Sequence, residues 1–585
     1  MKNIFKLNSS LNNGLTLDYK WDSNVCDITV TNNSDKTQLL GDITLFTADM
    51  PFSPDTEFYG EGYNMLSQYG GAINDFKLIG SFSDYDHYKF KKPDGMNQVY
   101  NMIIFYPKEQ EPLLIGFASC FRFNGWIRFN EKILQIALNG ENIKINAGET
   151  IRLEQVYIEQ GERNSILNSF ADAISKNHPK RNFSEIPTGW CSWLVYGPDI
   201  TAQNIYDNLD AIQKNGLDLK YIQIDDGYQA YWGDWFDFTD KFDGGIKKVC
   251  LDIKQKGFEP AIWVAPFVAE KDSSLFKNHP DWFVKDDNGA PLSSADVSFG
   301  GWRCAPWYIL DMTHPDALNY IKTVFKTMRY DWQIKYFKLD AIIWEAMPFG
   351  TRYDNSKTCI EAYKMGMDAI IEAAGEESFI LGGNSPMWPA IGTVHGMRVT
   401  NDNQRSWYQF TQLAKECFNR NWQHNKFWIN DPDTVLLQNQ MVKVIGPDGK
   451  DAYIEDSVSN DEFIFNAAYT MASGGMVLSG DDISRLTEKN TELLKKLLPP
   501  TKVAAEFDDN SFTVGRAVIN DKTTIIYVFN FDDLEKDIKI PLNEKREIID
   551  LFEDINMGIC KNEIYFSAFK PHYAKVLICK KINKK

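Results

Sequence analysis

The sequence predicts a (β/α)8 TIM barrel flanked by a large N-terminal and a small C-terminal β-sandwich. Three observations predict it. Between about 186 and 490, eight strand-like runs alternate with helix-length segments. Each run ends in polar residues, where a barrel of this kind gathers its chemistry. Both flanks consist of short alternating strands separated by turn residues. The predicted organisation is an N-terminal sandwich over 1–163, a helical linker over 164–185, the barrel over 186–498 and a C-terminal sandwich over 499–585.

In chain order, residues 27–31, 99–105, 113–117 and 151–158 alternate or run apolar, with turn signals at Asn12-Asn13-Gly14 and Asn139-Gly140. Residues 165–171 read as a connecting helix. The eight barrel strands are placed at 189–193, 221–226, 261–266, 336–340, 379–384, 397–402, 427–431 and 476–482. Helical patterns fall between them, among them 205–214, 317–328 and 410–419. A doubly wound sheet is the competing fold, but no GxGxxG opens the first unit. Residues 523–529 return to a β pattern.

Composition narrows the function. A formal charge of −18 over 585 residues makes nucleic acid and anionic membranes poor partners, and no run is long enough to cross a bilayer. Nine cysteines, an odd number without zinc-type pairs, point to reduced thiols and a cytoplasmic address. The start, Met1-Lys2-Asn3-Ile4-Phe5-Lys6-Leu7-Asn8, lacks the apolar core of a signal peptide. Seven histidines form no HExxH or clustered set, so neither a metal nor an organic cofactor is expected. The 16 Trp and 26 Tyr suit a carbohydrate cleft, although large domains also bury aromatics.

Two aspartates at strand ends carry the chemistry. Asp340 closes Tyr336-Phe337-Lys338-Leu339-Asp340 and Asp402 closes Met397-Arg398-Val399-Thr400-Asn401-Asp402, each with a basic residue upstream. A strand-end Asp is often only a helix cap. Two that face one cleft are the minimum equipment for glycosidic cleavage.

The ordered set Trp190-Cys191-Ser192-Trp193, Gln223-Ile224-Asp225-Asp226, Trp263-Val264-Ala265-Pro266-Phe267, Lys338-Leu339-Asp340 and Arg398-Val399-Thr400-Asn401-Asp402 resembles the α-galactosidases of glycoside hydrolase family 36, in the melibiase clan. Pro280-Asp281-Trp282, Leu310-Asp311 and Trp428-Ile429-Asn430-Asp431-Pro432-Asp433 add to the match. The resemblance spans about 186–490. It implies a retaining exo-α-galactosidase acting on oligosaccharides, with Asp340 the nucleophile and Asp402 the general acid/base. A retaining enzyme needs these carboxyls roughly 5–5.5 Å apart. On this reading Lys338 holds the Asp340 pKa low, and repulsion from Asp340 with partial burial raises that of Asp402. The resemblance further implies that Asp225 and Asp226 grip O4 and O6, Lys338 donates to O3 or O4, Arg398 serves the O2 region, and Trp263 walls the pocket. Trp193 is a second wall or barrel core. The family also favours a homo-oligomer.

The departures matter too. Leu194 stands where relatives carry an aromatic. Glu61-Gly62-Tyr63-Asn64-Met65-Leu66 offers Tyr63 where relatives present a Trp from the N-terminal sandwich. Gly382-Gly383-Asn384 replaces a Cys-containing turn near O2. Gly383 and Asn384 therefore either reflect loop packing or leave room for a 2-acetamido group. That keeps open an α-N-acetylgalactosaminidase, beside a raffinose-synthase-like galactosyltransferase and a non-catalytic sugar binder.

Overall fold

The computed structural model describes residues 4–9, 11, 13–445, 451–507 and 509–582, without the side chains of 442–445 and 451–454. Met1, Lys2, Asn3 and Asn12, which enter the readings of the N-terminus and the first turn, lie outside the described residues.

Eight short parallel strands make the central sheet: β1 (Thr188–Cys191), β2 (Tyr221–Ile224), β3 (Glu259–Val264), β4 (Tyr336–Leu339), β5 (Phe379–Gly382), β6 (Gly396–Arg398), β7 (Ile429–Asp431) and β8 (Val477–Ser479). β8 pairs with β1, and the Met476 N–H donates to the Asn430 carbonyl at 2.9 Å, which closes the ring between β8 and β7. The strands are buried on both faces, so they read as apolar runs and show little alternation. Around them lie α1 (Ala202–Asn215), α2 (Gly245–Gln255), α3 (Pro315–Tyr330), α4 (Cys359–Ala374), α5 (Met387–Ala390), α6 (Trp407–Arg420), α7 (Asn460–Ala472) and α8 (Glu488–Lys496). Local signals start and stop them. Thr201, Thr358 and Ser459 form capping boxes, Pro315 opens α3, and Gly216 ends α1 at φ 61°. α3 buries Ala317, Ile321, Val324, Phe325 and Met328, a helical stripe that packs on the barrel.

N-terminal to the barrel, a five-stranded and a nine-stranded antiparallel sheet enclose an apolar core including Phe46, Ile136, Ile103, Phe105 and Ile115. The run 99–105 is two strands, Asn97–Tyr100 in the first sheet and Met102–Tyr106 in the second. Asn101 between them sits at φ 62°, a left-handed conformation that Asn tolerates, and there the chain changes sheets. The run 151–158 likewise divides into Thr150–Arg152 and Val156–Gln160. The helix Arg163–Asn177 connects sandwich to barrel, and after α8 a six-stranded and a two-stranded sheet follow.

The N-terminal sandwich braces one side of the barrel mouth. Glu61 and Arg420 form a fully buried pair at 2.8 Å. Arg420 also donates to the carbonyls of Ser67 and Val399, each at 3.0 Å, so the segment leaving β6 hangs on a residue held by the sandwich. Such a pair is costly to break, because the survivor is an unpaired buried charge. Met65 N–H donates to the Ser385 carbonyl and Met387 N–H to that of Tyr63, which lays the 63–67 turn against the loop after β5.

Candidate active site

At the C-terminal ends of the strands lies a cavity of about 270 Å³. Nearly every predicted site residue lines it: Asp225 and Asp226 after β2, Trp263 on β3, Lys338 and Asp340 on and after β4. Gly383 and Asn384 follow β5, Arg398 and Asp402 come from β6 and the loop after it, and Trp193 from the turn after β1. The register explains the convergence, since each residue lies near the C-terminal end of a parallel strand or in the loop that leaves it.

The two catalytic candidates have different surroundings. Asp340 receives the Trp263 indole N–H at 2.9 Å on one oxygen and the Ala341 N–H at 2.8 Å on the other. Burial lifts its carboxyl above the ordinary range. Lys338 and the indole pull it back, and Asp402 pushes it further up. Lys338 is not paired with it; the ammonium goes to Asp225 at 2.8 Å. The expectation that Lys338 keeps Asp340 low is therefore corrected: desolvation outweighs a cation already committed elsewhere. Asp402 takes Arg398 Nη2 at 2.9 Å and is the more open of the two, its side chain 49% exposed into the mouth. Enclosure by the site pushes its carboxyl up, but Arg398, then Lys338, with the Trp193 indole, bring it below its ordinary value. The raised Asp402 expected from repulsion is likewise corrected, because the adjacent guanidinium outweighs a neighbouring carboxylate. Arg398 is shared, since Nη2 also lies 3.3 Å from Asp433. It is only 2% exposed and works from behind the acids.

Asp225 and Asp226 are almost wholly buried. Asp225 accepts from Lys338 and from Gln223 Nε2, the latter at 2.9 Å. Asp226 accepts Arg303 Nε at 2.8 Å and Nη2 at 2.5 Å, with the Trp232 indole at 3.0 Å. The carboxylates are thus held rigid at the cavity end.

Tyr63 does not join the site. It is 1% exposed, and its hydroxyl donates to the Ala346 carbonyl in the seam between sandwich and barrel. The sandwich contributes instead Met65, Leu66, Phe82 and His87. His87 stacks between Phe82 and Phe299, at centroid distances of 4.4 and 3.7 Å. Tyr88 donates to Asn384 Oδ1 at 2.7 Å, so the sandwich also orients the loop after β5.

Sequence reasoning missed Phe299, Trp302, Arg303 and Asn401. The first three belong to the long excursion between β3 and β4. Its signal is Gly300-Gly301, both with φ above 100°. A Cβ on Gly301 would lie 2.8 Å from the Trp307 ring, so only glycine lets the loop lay Trp302 and Arg303 over the barrel mouth.

The melibiase family model matches residues 149–377, which contain β1 to β4 and both Asp225 and Asp340. The match takes in less than half of the chain. Among curated relatives, this chain is 30% identical over 131 residues to an α-galactosidase of Escherichia coli, covering 21% of this chain and 17% of that one. It is 29% identical over 156 residues to an A type blood α-D-galactosamine galactosaminidase of Flavonifractor plautii, covering 26% and 14%. These matches span less than a fifth of the relatives' length. In fold, the chain superposes on the α-galactosidase of Thermus thermophilus with a TM-score of 0.65 at 19% identity, covering 87% of this chain and 97% of that one. The family 36 α-galactosidase of Geobacillus stearothermophilus gives 0.67 at 14% identity, with 97% and 81% covered. The barrel with flanking β-sheets is common to them. Among the described residues, no cluster of His, Cys, Asp or Glu could hold a metal ion, and no helix is long and apolar enough to cross a membrane.

Proposed function

We propose that this protein is a retaining exo-α-galactosidase that releases terminal galactose from oligosaccharides. The observation that carries the reading is the meeting of Asp340 and Asp402 in one cavity whose inner end is lined by Asp225, Asp226 and Lys338. Asp340 attacks C1 as Asp402 gives a proton to the departing oxygen. Asp402 then takes a proton from the water that releases the sugar, and the anomeric configuration is retained. The Trp263 and Ala341 N–H groups hold the Asp340 carboxylate in attacking position. Asp402 rests ionised against Arg398. A sugar filling the mouth removes the solvent that supports this charge and raises the acid's pKa, while Asp433 competes for the same guanidinium. Buried acceptors that lose their hydroxyl partners are costly, so the Asp225 end discriminates against epimers. The α-galactosidases among its relatives agree with this substrate.

The wall beside Gly383 bears on the sugar's C2 group. A Cβ there would stand 3.2 Å from the Leu339 carbonyl and 3.8 Å from Asp340 Cγ. The space beside Gly383 therefore adjoins the nucleophile, and whether it admits a 2-hydroxyl or a 2-acetamido group separates the two readings. Turnover of 4-nitrophenyl α-galactoside against its 2-acetamido analogue tests the reading. Preference for the plain galactoside supports it, and preference for the acetamido sugar replaces it with the N-acetylgalactosaminidase. Disaccharide products at high acceptor concentration would signal the transferase, and no turnover of either sugar the binder.

A further inference from the structure

Two adjoining cavities open at the N-terminal end of the barrel, away from Asp340 and Asp402. The larger, of about 240 Å³, is lined by Arg163, Trp422, His424, Lys426 and Lys502 among others, and lies between the linker helix, the turn after α6 and the segment that leads into the C-terminal sheets. The smaller, of about 140 Å³, shares Asn425 and Lys502 with it and adds Lys180 and Arg181, below the starts of β1 and β7.

Five basic side chains therefore line two neighbouring cavities in a chain with 62 basic and 80 acidic residues. The carboxylates in their lining are Glu185 and Glu506. Glu185 is engaged by Lys220 and by the Tyr221 hydroxyl, each within 2.6 Å. Arg181 pairs at 3.0 Å with Glu376, whose side chain is 86% exposed, and Lys426 reaches Asp172 only at 3.9 Å. Among the described residues, Arg163, Lys180 and Lys502 form no ion pair. Three buried N–H groups here also have no well-formed hydrogen bond: Arg163 Nε, Arg181 Nε and His424 Nε2. His424 is 7% exposed and its Nδ1 accepts from Asn430 N–H at 3.1 Å, which leaves Nε2 as the donor, close to the Lys502 carbonyl but not aligned with it. The Arg163 guanidinium also meets the Tyr106 hydroxyl, and the remaining N–H donors, gathered among cations, favour an acceptor.

We infer that these cavities form a binding site for a small phosphorylated sugar. A phosphate accepts from several N–H donors at once and suits guanidinium and ammonium groups together. The half-buried Trp422 offers a ring face, and the side chains of Asn164 and Asn168 stand at the same wall to serve hydroxyls. The site contains none of the residues assigned to glycoside cleavage, so it stands apart from the proposed activity.

The test is calorimetric titration and thermal melting of the full chain with glucose 6-phosphate, glucose and inorganic phosphate, beside Lys180→Ala/Lys502→Ala and Trp422→Ala variants. Saturable binding of glucose 6-phosphate is expected, with a melting point that rises with ligand concentration by mass action. The double lysine variant should weaken that binding by about tenfold or more, and its turnover of 4-nitrophenyl α-galactoside should match the wild type. Trp422→Ala should weaken glucose 6-phosphate but not inorganic phosphate. Equal binding of unphosphorylated glucose, or unchanged affinity in the double variant, overturns the site. Equal binding of inorganic phosphate, with Trp422→Ala silent, overturns the sugar contact and assigns the space to the free anion.

Discussion

The corner after β4 and the corner after β6 are written alike, a basic residue followed shortly by an aspartate, and they end in opposite electrostatic states. At the first, Lys338 turns sideways to Asp225 and leaves Asp340 to neutral N–H donors, so burial dominates and the carboxyl rises. At the second, Arg398 points forward onto Asp402, and its charge brings the carboxyl down. The spacing decides part of this. Lys338 and Asp340 share one face of a strand end, whereas Asp402 follows Arg398 by four positions, enough for the loop to fold the acid back over its own cation. A motif of cation and acid thus specifies which groups are present, and the neighbours decide which of them meet.

The largest effect should come from removing either acid. Asp340→Gly should lower turnover by about 10⁴-fold or more. Azide should restore part of it with an activated galactoside and give the β-azide, identified by NMR. Wild-type activity in this variant would remove Asp340 from the chemistry. Asp402→Ala should cost about 10²- to 10⁴-fold on poor leaving groups. It should largely spare the first step with dinitrophenolate and show a burst as the second step slows. Equal loss on both leaving groups with no burst would mean that Asp402 is structural.

A smaller effect separates the two corners by sign. The folded pKa of Asp340 is raised, so its ionised form is stabilising only in relative loss: stability falls as pH rises from about 3.9 through the folded value. Asp340→Asn should therefore raise the melting temperature at pH 7, with the gain fading in acid. Asp402 is the reverse, its depressed pKa giving stability above about 3.9 that is lost as pH falls. Asp402→Asn should lower the melting temperature at pH 7, by only a few tenths of a kcal/mol because the side chain is half exposed. Shifts of the same sign in both variants would show that the corners do not differ as described.

The smallest expected change is a displaced pH profile. Asp433→Asn removes the competitor for Arg398, so the guanidinium should serve Asp402 alone and depress it further. The acid limb of kcat/KM, set in the free enzyme by the lower-lying Asp402, should move to lower pH while the alkaline limb, set by Asp340, stays. An unmoved limb would detach Asp433 from the acid.

By itself the sequence determined the alternation of strands and helices, the pair of acids and most of the pocket around them. Those features are local, because apolar runs, caps and strand-end polar groups are written within a few residues of where they act. The same locality misled at Tyr63, whose stretch does reach the mouth, though through Met65 and Leu66, because the turn buries the tyrosine in the seam with Ala346. Only the tertiary structure decided that Lys338 belongs to Asp225, that Arg303 crosses 77 positions to clamp Asp226, and that Asp340 rises while Asp402 falls. The physical reason is that a pKa and an ion pair depend on distances and burial set by the closure of the whole barrel and by the sandwich pressed against its mouth.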